Sequence, residues 1–197
     1  MSEPDSGSDL AALRTKAEKK GDIYLVNGTK LWTSGAHRCQ YMIALFRTSQ
    51  EEDRHGGFSQ FIVDLSLPGV TIRPIIDLAG RHHFNEVIFE DVEVPEDMLI
   101  GTEGNGWNQV TAELALERSG PERYLSSYML LQELVKEFSN KNDDEGVTEI
   151  GRQMSHLTTL RQMSVSVAGM LDQGENPALE ASVVKDLGAV FEQELPN

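Results

Sequence analysis

Two segments carry side chains suited to holding a flat ligand with a polar edge: Ser2-Glu3-Pro4-Asp5-Ser6-Gly7-Ser8-Asp9 and, further on, Trp32-Thr33-Ser34-Gly35. Glycine lets the backbone approach a ligand closely, hydroxyls and free amides offer directional donors, and an indole offers a flat apolar wall. Individually, Ser2 and Ser8 read as ordinary turn residues and Trp32 as the core of a β-domain. Together the two segments point to a planar cofactor. A third residue adds acid–base chemistry. On a helix turning about 100° per residue, Glu117 lies about 20° from the direction of Val110, which places a carboxylate on the apolar stripe of Trp107, Val110 and Leu114. A carboxylate facing an apolar wall is desolvated, its pKa rises, and it becomes a stronger base. The alternative is an ordinary ion pair between Glu117 and a nearby arginine.

Histidine contributes less. His82 and His83 are adjacent, so on a strand they face opposite sides, and no Cys, Asp or His spacing completes a metal site. His37, His55 and His156 stand alone in the sequence. No glycine-rich phosphate fingerprint lies between a strand and a helix, so a Rossmann mode is not indicated.

The elements that must position these residues change character near Pro95-Glu96. Before that point the chain is rich in β-branched and aromatic runs broken by turns; after it, in Leu, Met, Glu, Gln and Ala. This predicts an α+β chain: a small antiparallel β-barrel or sandwich over residues 1–100, then part of an antiparallel helical bundle over 101–197. Asn27-Gly28 predicts a hairpin turn between two strands spanning Asp22 to Trp32, with Trp32 near a strand end. Further strands are expected at Tyr41 to Arg47, Phe58 to Leu65, Val70 to Ile75 and Glu86 to Val94. A helix is expected from Asn105 to Arg118, interrupted at Gly120-Pro121. Helical spacing continues through Tyr128, Leu131, Val135 and Phe138, and Ser139 to Gly146 is expected to be a reversal. Ile150, Met154, Leu157, Leu160 and Val167 mark a further helix, and Leu179, Val183, Leu187 and Val190 the last. So many apolar stripes predict that more helices or a partner chain complete the bundle.

The formal charge of −15 over 197 residues argues against nucleic acid as partner, because phosphate binding needs clustered Lys and Arg. A single cysteine, Cys39, excludes a disulfide within the chain and fits a reducing compartment. No apolar run approaches the roughly 20 residues that span a bilayer, and the start lacks a secretory pattern. A soluble intracellular protein is expected.

The Ser-Glu-Pro loop, Trp32-Thr33-Ser34, the run Gly80-Arg81-His82-His83-Phe84-Asn85-Glu86-Val87-Ile88-Phe89-Glu90-Asp91-Val92-Glu93-Val94-Pro95 and the late Glu180-Ala181-Ser182-Val183-Val184-Lys185 resemble, in order and spacing, the acyl-CoA dehydrogenase family. The resemblance implies FAD as cofactor, held by Ser2, Trp32, Thr33 and Ser34, with Ser8 and Arg118 along the acyl-CoA site. It implies α,β-dehydrogenation of a CoA thioester to a trans-2-enoyl-CoA. Glu117, in a Leu-Glu-Arg context found in some branches, is then the base; other branches carry theirs in a late loop. The reacting carbons are expected between the two domains. The family's electron acceptor is an electron-transfer flavoprotein, its assemblies are dimers or tetramers, and its compartments are the bacterial cytoplasm, preferred here, or the mitochondrial matrix. Measured against the family, the chain reads as a fragment without the leading helical domain. The Arg-x-x-Phe-Gly segment that reaches the FAD pyrophosphate of a neighbouring subunit is replaced by Phe138-Ser139-Asn140-Lys141-Asn142-Asp143-Asp144-Glu145-Gly146, which lacks the arginine and its pattern. That departure leaves open a non-catalytic partner subunit of a heteromer, or an inactive isolated fragment.

Overall fold

The computed structural model describes residues 1–139 and 144–196. The chain divides into two compact units, Met1–Gln109 and Val110–Asn197.

The first unit is one seven-stranded sheet: β1 (Lys16–Lys20), β2 (Ile23–Ser34), β3 (Tyr41–Arg47), β4 (Phe58–Asp64), β5 (Val70–Ile76), β6 (His82–Pro95) and β7 (Leu99–Ile100). The strand order is β5-β6-β2-β1-β3-β4-β7. Every pairing is antiparallel except a single parallel link, Lys16 to Arg47, between β1 and β3, so the wholly antiparallel sheet expected from the sequence is mixed at this one point. The sheet curls around one core, in which Tyr24, Val26, Phe46, Phe61 and Phe89 are fully or almost fully buried and Val70 and Ile72 of β5 and Leu99 of β7 pack against them. Burial of these aromatics is the dominant favourable term, at roughly 25 cal/mol per Å² of apolar surface removed from water.

The hairpin lies elsewhere than expected. β2 runs unbroken through Asn27-Gly28, and the turn is Gly21-Asp22, with Lys20 paired to Ile23 and Gly21 in the left-handed region at φ 63°. The sequence hid β1 because Lys16-Ala17-Glu18-Lys19-Lys20 buries only Ala17. Gly28 serves a close approach instead of a turn: a Cβ there would stand 2.5 Å from the Thr15 hydroxyl oxygen. Asn27 faces a bulge in β6, where Asp91 takes φ 51° and its backbone N–H donates to Asn27 Oδ1 at 2.9 Å. An asparagine before a glycine signals a turn by local conformational preference; here tertiary pairing overrides it.

The second unit is helical: most of α1 (Gly106–Arg118), then α2 (Tyr128–Ser139), α3 (Asp144–Asp172) and α4 (Ala178–Glu194). Arg152 near the start of α3 pairs with Glu194 at the end of α4 at 3.6 Å, so these two helices run antiparallel. The reversal expected at Ser139 to Gly146 is shorter, since Asp144 to Gly146 already belong to α3; residues 140–143 lie outside the described residues. On α4 the buried stripe is Ala181, Val184, Gly188 and Phe191, continued by Leu195 just past its end, whereas Leu179, Val183, Leu187 and Val190 are exposed. Small residues decide which stripe turns inward. A Cβ on Gly188 would stand 2.4 Å from the Arg123 carbonyl oxygen, so only this face can pack so closely.

Candidate functional site

In the opening loop, Glu3 and Ser6 exchange backbone hydrogen bonds (Glu3 N to Ser6 O 2.8 Å, Ser6 N to Glu3 O 3.1 Å), and Ser6 Oγ donates to Asp9 O at 2.8 Å. These bonds turn Glu3 inward and leave Pro4, Asp5 and Ser8 exposed. The buried Glu3 carboxylate accepts the backbone N–H of Arg14 at 2.6 Å and of Thr15 at 3.0 Å, and Lys30 Nζ at 2.7 Å. Burial alone would raise its pKa, but the Lys30 ammonium and these donors outweigh it and hold the carboxyl below the usual carboxylate range. Lys30 is fully buried; burial pulls its ammonium below the usual lysine range against the attraction of Glu3. Neither residue stood out in the sequence. The signal was the alternation along β2, where Tyr24 and Val26 point inward and Lys30 follows on the same side.

At its far end β2 carries a bulge. Lys30 pairs with Val87 and Thr33 with Asn85, so three steps along β2 oppose two along β6. The extra residue falls at Leu31-Trp32, and Trp32 adopts φ 60°. A bulky residue in the left-handed region costs about 1–3 kcal/mol and persists only where its surroundings impose it. The bulge re-aims the side chain: the indole is 56% exposed and meets Phe84 edge-on, ring centres 5.9 Å apart. Leu31, displaced from the ladder, donates its N–H to Ser2 O at 2.8 Å, which brings the loop to the bulge. Next along, Thr33 O accepts Asn85 Nδ2 at 3.0 Å, while the buried Thr33 Oγ1 has no partner among the described residues. Ser34 is exposed. Ser2, Trp32, Thr33 and Ser34 are thus gathered on one unit around an open indole face. Phe84 continues into a cleft of about 740 Å³ lined also by His37, Arg38, Arg81 and His82.

The histidines are not isolated. His37 stacks on His82 at 3.8 Å, His55 lies against Trp107 at 4.3 Å, and His156 meets Phe191 edge-on at 5.5 Å. Among the described residues no group of three or more His, Cys, Asp or Glu could hold a metal ion.

Glu117 and Arg118 belong to the second unit. The Glu117 side chain is 54% exposed and pairs with Arg123 Nη2, and Arg123 Nε also donates to the Glu117 carbonyl at 3.3 Å. This corrects the expected desolvation. The chain turns at Gly120-Pro121 and returns Arg123 to the carboxylate, which no spacing within the helix reveals. Arg118 Nη1 donates to Ser182 Oγ of α4 at 3.2 Å. No helix among the described residues is long and apolar enough to cross a membrane.

Residues 1–92 match the family described as acyl-CoA dehydrogenase, middle domain. Acyl-CoA dehydrogenase FadE34 of Mycobacterium tuberculosis is 33% identical over 196 residues, covering 99% of this chain and 28% of that protein. Among solved structures, a chain of the ChsE4-ChsE5 complex from Mycobacterium tuberculosis superposes with a TM-score of 0.80 at 30% identity, over 98% of this chain and 52% of that one. A chain titled Tcur3481-Tcur3483 steroid ACAD gives a TM-score of 0.84 at 25% identity, over 98% and 51%. The chain therefore spans at most about half the length of these relatives. The agreement of the middle-domain match, the relatives and the mixed sheet followed by helices places the chain in the acyl-CoA dehydrogenase family.

Proposed function

We propose that this chain takes part in FAD-dependent α,β-dehydrogenation of an acyl-CoA thioester to a trans-2-enoyl-CoA. The observation that carries the reading is the exposed indole of Trp32, held on a strained bulge and tied through Leu31 to the Ser2 loop. A flat apolar wall beside the exposed Ser34 hydroxyl and the half-buried Ser2 fits a planar ring with a polar edge. In this reading Trp32 covers the ring face, the Ser2 and Ser34 hydroxyls bond its heteroatom edge, and Thr33 supplies adjacent backbone contacts. Ser8 and Arg118 line the path of the CoA thioester. When bound, FAD supplies the acceptor for the β-hydride. Glu117 takes the α-proton; the two C–H bonds break and the C=C bond forms between those carbons. The electrons pass on to an electron-transfer flavoprotein, and the working form is a dimer or tetramer.

The absorbance spectrum of the purified protein tests this. A flavin band that bleaches on anaerobic addition of an acyl-CoA is the expected result, and a protein that takes up no FAD overturns it.

A second reading, a non-catalytic partner subunit of a heteromeric dehydrogenase, is favoured by the exposed Glu117–Arg123 pair and by the missing arginine of the Arg-x-x-Phe-Gly segment. Two of the similar structures carry paired names in their titles. Replacing Glu117 by Gln separates the readings, because undiminished dehydrogenation excludes Glu117 as the base.

A further inference from the structure

Lys30 and Glu3 are both buried, and their charged ends meet at 2.7 Å. Such a pair is a poor way to stabilise a core: desolvation costs several kcal/mol per ion, and well-packed apolar side chains of similar volume do as well or better. What the pair touches accounts for it. The carboxylate of Glu3 collects the N–H groups of Arg14 and Thr15, and the ammonium of Lys30 also reaches the Met1 carbonyl at 3.3 Å. One residue forward on the strand and one back in the loop, the Leu31 N–H bonds the Ser2 carbonyl. Two consecutive strand residues thus bind two consecutive loop residues, and Trp32 comes next. A loop displaced by one residue would lose both bonds and leave the ammonium unpaired in the core. That penalty makes the register of the loop on the strand specific, which is the attested use of buried polar contacts.

We propose that the Lys30–Glu3 pair is a positioning device for the cofactor loop, holding Ser2 against the bulge that presents Trp32. The proposal rests on the flavin reading for what those residues hold; their placement is a property of the chain by itself. The test is the double variant Lys30→Met with Glu3→Gln, which removes both charges while keeping side-chain volumes close. Backbone amide exchange is read without ligand, and FAD affinity by fluorescence titration. The expected result is exchange about tenfold or more faster at Glu3, Ser6 and Leu31, with Tyr24 and Val26 of the same sheet unchanged. FAD is expected to bind about tenfold more weakly, the mark of a lost preorganised loop. Exchange within about a factor of two of the parent at those three amides, or raised equally at Tyr24 and Val26, overturns the proposal. Should the double variant not fold, Glu3→Gln alone keeps an oxygen acceptor in place and is judged by the same two outcomes. A parent chain that takes up no FAD counts against the proposed function, and the exchange pattern then decides the role of the pair.

Discussion

The backbone N–H of Leu31 donates to the carbonyl of Ser2 at 2.8 Å, and this one bond joins the two segments that flank the exposed indole. It exists because the β2 bulge takes Leu31 out of register with β6, leaving a donor that needs a partner. The opening loop supplies it. A local irregularity in a strand thereby becomes the anchor of a loop nearly thirty residues away in sequence.

If the Trp32 indole is a ligand wall and not core, Trp32→Gly separates binding from stability. Glycine accepts φ 60° without strain, which returns about 1–3 kcal/mol, set against about 1 kcal/mol of added freedom in the unfolded chain. Urea unfolding is expected to change by no more than about 1–2 kcal/mol in either direction, while FAD binds at least about tenfold more weakly. A loss of more than about 3 kcal/mol would mark the indole as core.

Glu117 pairs with Arg123 at an exposed site, and such pairs contribute at most about 1 kcal/mol. Glu117→Gln should therefore leave thermal unfolding almost unchanged. As the base it would lower the dehydrogenation rate by about 10²-fold or more while acyl-CoA binding persists. Unchanged turnover in a single-turnover assay of flavin bleaching assigns Glu117 to its ion pair alone.

The Glu3 carboxyl titrates below the ordinary value of 4.5 in the folded chain, and its unfolded counterpart near it. A depressed folded pKa contributes stability that is present above the unfolded value and is lost as pH falls through the folded one. Stability should therefore decline below about pH 4.5 with a component that the Lys30→Met, Glu3→Gln double variant lacks. Denaturant unfolding at stepped pH reads this as a shallower acid limb in the variant; an identical slope would rule out Glu3 as a contributor.

Gly28→Ala adds a Cβ that would meet the Thr15 side chain and backbone at 2.5–2.7 Å, at a φ of 147°. Overpacking and a disfavoured backbone together should cost about 2–4 kcal/mol. Gly7→Ala, with nothing within 4 Å of its Cβ, should cost less than about 1 kcal/mol, and denaturant midpoints of the two variants compare them.

Much of the β-unit was legible because its strands are β-branched and aromatic runs bounded by turn residues: β3 occurs at Tyr41–Arg47, as the sequence predicts, and β4 and β5 differ by one residue. β1 was not, since a charged edge of the pattern with one buried alanine carries no periodicity. Asn27-Gly28 misled for the opposite reason, as a strong local signal whose residues answer to Thr15 and Asp91 across the sheet. On α4 both faces are apolar, so periodicity could not choose between them; the missing Cβ of Gly188 did. The Ser2 loop and Trp32 stand out by residue type, whereas Glu3 and Lys30 do not, because charged side chains are taken to be solvated unless a partner is in view.

By itself the sequence determined which residues could bind or react, and where strands give way to helices, because side-chain chemistry and hydrophobic period are local properties. Only the tertiary structure decided how those residues are presented: an indole turned outward by a bulge, a loop held by a buried ion pair, a carboxylate met by Arg123. Each of these depends on atoms distant in sequence meeting within a few ångströms, and no spacing along the chain encodes such a distance.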